Sequence, residues 1–349
     1  MPLKAGAPGK AVLLGEYAVL DGAPALSLAV DRRARVDLEA SSGVGRIEAP
    51  QLDIEPIAFE IGAHGALSWS GAENSLAAFR RTAAILEHLV AHAWRRYGGV
   101  EPFKLRIDTG GLFHGGIKLG LGSSAASVVA LDAAITAHAS RRRGRESPEQ
   151  VLERLLPVYR SSQGGHGSGI DLATSLYGGA IAYRLAGPRP VVQPVALPEG
   201  LHLMFIWTGQ AASTPDLVAA WFRFLRRHPD DARELVNAMR RVCHEGLEAQ
   251  QAGDAGELVR QIGEYGRVLG TMGDCAGIPV VTAAHRRAMD LALEHGAVCK
   301  PCGAGGGDLA VAAATSPQAL ASLADALRGT GLDAFSLAAG KDGSRVTEA

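Results

Sequence analysis

The sequence predicts two domains, each built from strands and helices, that meet near residues 185–200. Three observations carry this. A chain of 349 residues is long enough for two domains with a large core. Residues 10–40 read as successive apolar strands, whereas helical periodicity begins at Glu73 and dominates beyond residue 214. Between them, Pro188, Pro190, Pro194 and Pro198 share residues 185–200 with two glycines, the composition of a boundary.

Taken in order, Lys10–Leu20 has the character of a buried strand into which Lys10 and Glu16 intrude, and Asp21-Gly22 reads as a turn. Pro24–Val30 and Arg33–Ala40 read as a second and a third strand, and residues 41–70 as further strands and loops. Leu76, Phe79, Ala83, Leu86 and Val90 fall at three- and four-residue steps, so Glu73–Tyr97 is a helix that Gly98-Gly99 ends. Phe103, Leu105 and Ile107 alternate with Lys104, Arg106 and Asp108 as a half-buried strand. Ser147-Pro148-Glu149-Gln150 carries a capping box and starts another helix. Ala180–Tyr183 and Leu201–Trp207 are strands, and Thr214-Pro215-Asp216 opens a helix. Further helices fall at about 231–251, 254–271, 279–295 and 316–329. A strand from Val298 is interrupted by Gly303–Asp308 and resumes over Leu309–Ala314.

Hydrophobic residues make up 47% and charged residues 20%, and the net charge is −1, so no overall field draws nucleic acid or an anionic membrane. The basic run Arg141–Arg145 reads as a solvated helix end. No stretch approaches the ~18 apolar residues that span a bilayer. The N-terminus lacks the apolar core of a signal peptide, and the expected location is cytoplasmic. Four cysteines are too few for a disulfide framework. Cys299-Lys300-Pro301-Cys302 lacks both a second pair and a thioredoxin-like context, so it reads as two small residues at a buried strand edge.

The 44 glycines cluster at 6–22, 110–122, 164–179 and 303–307, which argues for several ligand loops. Gly116–Ser127 runs glycines and serines directly into an apolar helix, the composition of a phosphate cradle at a helix N-terminus. It is neither of the two commonest glycine loops. The N–H groups of Gly122-Ser123-Ser124 suit the β- and γ-phosphates, and the Ser124 hydroxyl suits a magnesium ion. Asp171, closing Gly167-Ser168-Gly169-Ile170-Asp171, can orient or deprotonate an attacking oxygen. Lys10 can keep Asp171 ionised and stabilise charge on a transferred group. Taken singly, Lys10 reads equally as a surface lysine, Asp171 as a helix cap and Glu16 as the partner of a nearby base. Jointly they point to phosphoryl transfer from a nucleotide, which needs mainly positioning and electrostatics.

These motifs resemble the GHMP kinases. Ala7–Leu20, Lys118–Ala126 and Lys300–Asp308 look like the three signature regions, so the resemblance covers nearly the whole chain. It implies an α+β fold with a ribosomal protein S5 domain 2-like N-terminal domain over 1–190, a ferredoxin-like C-terminal domain over 200–349, and a site in the cleft between them. It implies ATP and Mg2+ as cofactors and a small molecule as acceptor, with neither nucleic acid nor membrane as partner. The oligomeric state stays open, a homodimer included.

On this resemblance Lys10, Ser168 and Asp171 are catalytic. Lys118, Gly120, Gly122, Ser123, Ser124, Ala125, Gly303, Gly305 and Gly306 hold the nucleotide, and Ser124 also binds the metal. Glu16, Tyr17, His166, Gly169, Thr208, Ser213, Lys300, Gly307 and Asp308 bind the acceptor, with Lys118, His166 and Lys300 as candidates for a phosphate on it. Lys118–Ala125, Gln163–Ala173, Trp207–Thr214 and the closing Asp308 are similar to the branch that converts 5-phosphomevalonate to 5-diphosphomevalonate on the mevalonate route to isoprenoids. Mevalonate or another alcohol is the alternative acceptor. A catalytically inactive metabolite sensor is a third reading, against which Lys10, Ser124 and Asp171 speak. Three departures stand out. Arg160 occupies the position at which mevalonate kinases carry a metal-binding glutamate, Ile170 replaces a frequent aromatic, and Cys302 replaces a Ser or Thr.

Overall fold

The computed structural model describes residues 2–140, 146–165, 167–187 and 189–348. The basic run at 141–145 and His166 therefore lie outside the described residues. The chain opens with β1 (Leu3–Leu14), β2 (Ala25–Ala40), β3 (Gly45–Glu48), β4 (Ile57–Ile61) and β5 (Leu67–Ser70). Then come α1 (Glu73–Tyr97), β6 (Phe103–Asp108), the small hairpin β7 (Phe113–His114) and β8 (Ile117–Lys118), α2 (Ser123–Ser140), α3 (Pro148–Ser162) and α4 (Ile170–Tyr177). They are followed by β9 (Ala180–Ala186), β10 (Arg189–Val195), β11 (His202–Trp207), α5 (Thr214–Arg227), α6 (Pro229–Ala252), α7 (Ala255–Ala276) and α8 (Ala283–Glu294). The last elements are β12 (Val298–Pro301), β13 (Leu309–Ala314), α9 (Pro317–Leu327), β14 (Asp333–Phe335) and β15 (Arg345–Glu348).

The result is an α+β molecule with two principal sheets. The first has nine strands in the order β10-β9-β2-β6-β3-β4-β5, with β1 paired to β2 and β15 paired to β1. The second runs β12-β13-β11-β14. The expected second and third strands are one strand, β2. Its burial changes from continuous over Ala25–Val30 to partial and alternating from Arg33 onward. The change in pattern thus marks a change in what covers the strand, not a break in it.

The proline-rich stretch is also more structured than its composition suggests. Residues 189–195 form β10 on β9 at the edge of the first sheet, the position at which a strand tolerates prolines that cannot donate. The chain then enters the second sheet at β11, and at its far end β15 returns to the first sheet beside β1.

Helix α2 is apolar nearly all round, with Ala125, Ala126 and Val128–Leu131 buried, as expected of a helix enclosed by other elements. It packs on β1, β2, α1 and α4. The Lys10 N–H donates to Leu121 O at 2.9 Å, so β1 and the turn before α2 are joined main chain to main chain. α6 and α7 pack together, with α7 against β12, while α8 and α9 cover a separate apolar cluster on the second sheet. Among the described residues no helix is long and apolar enough to cross a membrane.

Candidate active site

Around one cleft of about 840 Å³, several segments bring the candidate residues together. β1 brings Lys10, and the corner after it brings Glu16 and Tyr17. The turn before α2 brings Lys118, Gly120, Gly122, Ser123 and Ser124. The turn before α4 brings Ser168 and the first turn of α4 brings Asp171; the turn before α5 brings Ser213, and the loop between β12 and β13 brings Gly303 and Asp308.

Gly122 fixes the centre of this arrangement. Its φ is +73°, and a Cβ there would lie 3.1 Å from Lys10 Cγ and 3.6 Å from Asp171 Cβ. Only glycine lets the backbone pass this close between the two side chains. Its carbonyl accepts the Ala126 N–H, opening α2. The N–H groups of Ser123, Ser124 and Ala125 then have no intrahelical acceptor, and with the helix dipole they favour an anion. Lys10 Nζ donates to Gly120 O at 3.2 Å, which aims the ammonium along this turn.

Asp171 lies in the first turn of α4. One carboxylate oxygen accepts the Leu172 N–H at 2.9 Å and the other accepts the Tyr159 hydroxyl at 2.6 Å. Burial first, and then the Asp171 charge, push the Tyr159 phenol well above its ordinary value, so it stays a donor. Tyr159, which fixes the Asp171 carboxylate, is a cleft residue that the sequence reading did not single out. It sits on the buried face of α3 with Leu152, Leu155 and Leu156, in a stripe of otherwise apolar residues. The available signal was its hydroxyl, a polar tip in an apolar stripe that must find a partner when buried. Arg160 follows it and donates to Gly167 O at 2.8 Å and Ser168 O at 3.1 Å. This arginine shapes the turn before Asp171. Gln163 reaches Ser124 Oγ at 3.3 Å.

The far wall is held by Asp308. Its N–H donates to Gln210 O at 2.6 Å, and its carbonyl accepts the Thr208 N–H at 3.1 Å and the Thr208 hydroxyl at 2.9 Å. Its carboxylate accepts the Ala212 N–H at 3.1 Å and presses against Gly120. Burial pushes this carboxyl up, opposed by the Ala212 N–H and by the charges of Lys10 and Lys118. Asp308 thereby ties its own loop to the 208–212 turn and packs against the turn before α2.

Several expected ligand residues do not reach the cleft surface. Lys300 is fully buried, and its ammonium is spent on Glu16, Val12 O and Pro301 O, so it is unavailable to a substrate phosphate. Thr208 is buried against Asp308, Ala125 is inside α2, and Gly169 is buried before α4. Gly305 and Gly306 pack on Val280 and Leu217, and Gly307 packs on Gln210. These glycines are needed because backbone meets backbone there. Burial holds the Cys299 thiol at about 12 and raises that of Cys302, which leaves both as inert core residues.

A lysine, a helix N-terminus with free N–H groups and a carboxylate oriented beside both are the positioning and charge that phosphoryl transfer needs. Residues 81–179 match the family model of the GHMP kinases N-terminal domain. Over 335 residues the chain is 30% identical to the phosphomevalonate kinase of Streptomyces sp. (strain CL190), with 88% of each covered. It is 29% identical over 261 residues to the mevalonate kinase of Thermococcus sibiricus, covering 71% of this chain and 70% of that one. The solved structure of Streptococcus pneumoniae phosphomevalonate kinase with phosphomevalonate and AMPPNP aligns with a TM-score of 0.75 at 19% identity, over 97% of this chain and 99% of that one. The chain belongs to the GHMP kinase family and is an ATP-dependent small-molecule kinase.

Proposed function

We propose that the enzyme transfers the γ-phosphoryl group of ATP to the phosphate of 5-phosphomevalonate, giving 5-diphosphomevalonate. The carrying observation is Arg160. Where a mevalonate kinase would present a glutamate to the metal, this chain presents a guanidinium whose donors are committed to Gly167 O and Ser168 O. The relative that aligns over 88% of the chain at 30% identity, named a phosphomevalonate kinase, supports the same branch. Lys10 and Lys118 line the cleft and suit an anionic acceptor.

In this reading the N-terminal turn of α2 holds the β- and γ-phosphates, Lys10 offsets charge on the transferring group, and Asp171 positions the acceptor. A phosphate acceptor is largely ionised near pH 7, with a second pKa of about 6, so Asp171 has little proton to remove. Magnesium would take the Ser124 hydroxyl and the Asp171 carboxylate. Among the described residues no three His, Cys, Asp or Glu side chains cluster to hold a metal unaided. That sparse oxygen set fits an ion which draws most of its shell from phosphates and water, and the ion would neutralise charge on the triphosphate. We place an N-terminal nucleotide-binding unit over 1–190 and a C-terminal unit over 200–349.

The test is ADP release with phosphomevalonate, mevalonate or galactose as acceptor. Turnover of phosphomevalonate is the expected result. Turnover of mevalonate without phosphomevalonate would overturn the reading, and none with any acceptor would favour a metabolite sensor.

A further inference from the structure

We infer that the buried Lys300–Glu16 ion pair is a positioning device that sets the Gly303 loop against the strand bearing Lys10. The inference rests on the reading above only in taking this cleft as the seat of phosphoryl transfer.

Both side chains are buried, Lys300 completely and Glu16 nearly so. Lys300 Nζ donates to Glu16 Oε1, to Val12 O at 3.2 Å and to Pro301 O at 2.7 Å. It therefore ties β1 to the end of β12. Glu16 Oε1 also accepts the Gly303 N–H at 3.2 Å, which adds the first residue of the glycine loop. The neighbouring Tyr17 donates to Ala304 O at 2.6 Å, and Tyr265 on α7 donates to Glu16 O at 2.5 Å. A Cβ on Gly303 would lie 3.5 Å from Lys10 Nζ, so the loop held by this pair runs directly beside the ammonium in the cleft.

Three features argue for a purpose other than stability. Taking both charges out of water is costly, and an apolar pair of similar volume is often as stabilising or more so. Glu16 Oε2 is also buried with no hydrogen-bond partner among the described residues. In addition, the corner carrying Glu16 is strained. Tyr17 has φ +61°, an outlying conformation for a bulky residue, and such strain persists where surrounding contacts over-determine the backbone. The pair thus spends its interactions on indexing one loop to another.

The test compares wild type with Glu16→Gln/Lys300→Met, which removes both charges together and strands neither. The readouts are kcat, acceptor KM, AMP-PNP affinity and amide exchange over 301–308. The expected result is a kcat at least 30-fold lower, with acceptor KM within threefold and Tm within a few degrees. Exchange over 301–308 should speed up at least tenfold while 118–124 stays unchanged. A kcat within threefold of wild type, or unchanged exchange over 301–308, would overturn the inference. Should the double variant not fold, Glu16→Gln alone decides by kcat and exchange over 301–308, since the amide oxygen still accepts the Gly303 N–H while Lys300 loses its counter-charge. Exchange and AMP-PNP binding need no acceptor. Failure to phosphorylate phosphomevalonate would therefore sink the proposed reaction while leaving this inference to its own outcome.

Discussion

Gly122→Ala separates backbone strain from site geometry. At φ +73° an alanine costs ~1–2 kcal/mol that glycine does not. The new methyl would also sit 3.1 Å from Lys10 Cγ, inside the optimal carbon separation of about 3.5–4.0 Å. Lys10 must then yield by a few tenths of an ångström. Its backbone cannot, because its N–H is fixed to Leu121 O, so the side chain swings and its bond to Gly120 O is disturbed. Gly98→Ala is the matched control. Gly98 ends α1 at φ +83°, and a methyl there would meet no atom within 4 Å, so it bears the strain without the contact. Both variants should lose a few degrees of Tm, at about 2–4 °C per kcal/mol for a large domain. In an ADP-release assay Gly98→Ala should keep kcat within twofold. Gly122→Ala should lose about 10- to 100-fold, the scale on which displaced catalytic groups cost rate. Equal kcat in the two alanine variants would refute the argument that Gly122 sets the spacing of Lys10 and Asp171.

Tyr159→Phe keeps the ring in its buried slot and removes the hydroxyl that donates to Asp171 at 2.6 Å and also interacts with Ser124. A hydrogen bond to a carboxylate contributes ~1.5–3 kcal/mol, so kcat/KM should fall about 10- to 150-fold. Undiminished kcat/KM would dissociate Asp171 orientation from the chemistry. His285 gives a pH prediction. Burial depresses its pKa from 6.5 to about 4, so the fold favours the neutral ring. A depressed histidine contributes fully above its unfolded pKa, and that contribution is lost as pH falls from 6.5 towards 4. Between pH 7.5 and 5 the loss is about 2 kcal/mol by linkage. His285→Gln should flatten the denaturation-versus-pH slope by that amount, and an unchanged slope would show that His285 is not its source.

The elements that carry their own periodicity were legible in the chain. α1, the half-buried β6 and the capping box of α3 lie where residue spacing puts them, because each buries one face only. Reading failed where cover changed along an element. β2 looked like two strands since its two halves bury different numbers of faces, and β10 looked like a linker since an edge strand accepts prolines. At the site, glycine clusters located the loops, but a sequence does not distinguish a glycine facing a ligand from one facing another backbone. Gly122 flanks the cleft while Gly305 meets Val280. Lys300 misled for a related reason. A lysine beside a glycine loop looks like a phosphate contact, and only the approach of Glu16, 284 positions away, turns it inward.

The same logic bears on how acceptor choice is encoded. The loops around the cleft are joined largely through main-chain atoms: Lys10 N–H to Leu121 O, Gly306 N–H to Val280 O, Asp308 N–H to Gln210 O, Thr208 N–H to Asp308 O. Main-chain bonds survive side-chain replacement, so the cleft can keep its shape while identity to a relative falls to 30%. Discrimination between acceptors must then reside in the few side chains that project from this frame. Arg160 belongs to what holds the frame itself, since its guanidinium binds two carbonyls of the turn before Asp171 where a carboxylate would repel them. A glutamate at that position would have to turn outward to a cation, and the turn before Asp171 would lose its support. On the proposed reaction, exchanging the acceptor would therefore require rebuilding what holds Gly167 and Ser168 in place, as well as recharging the cleft.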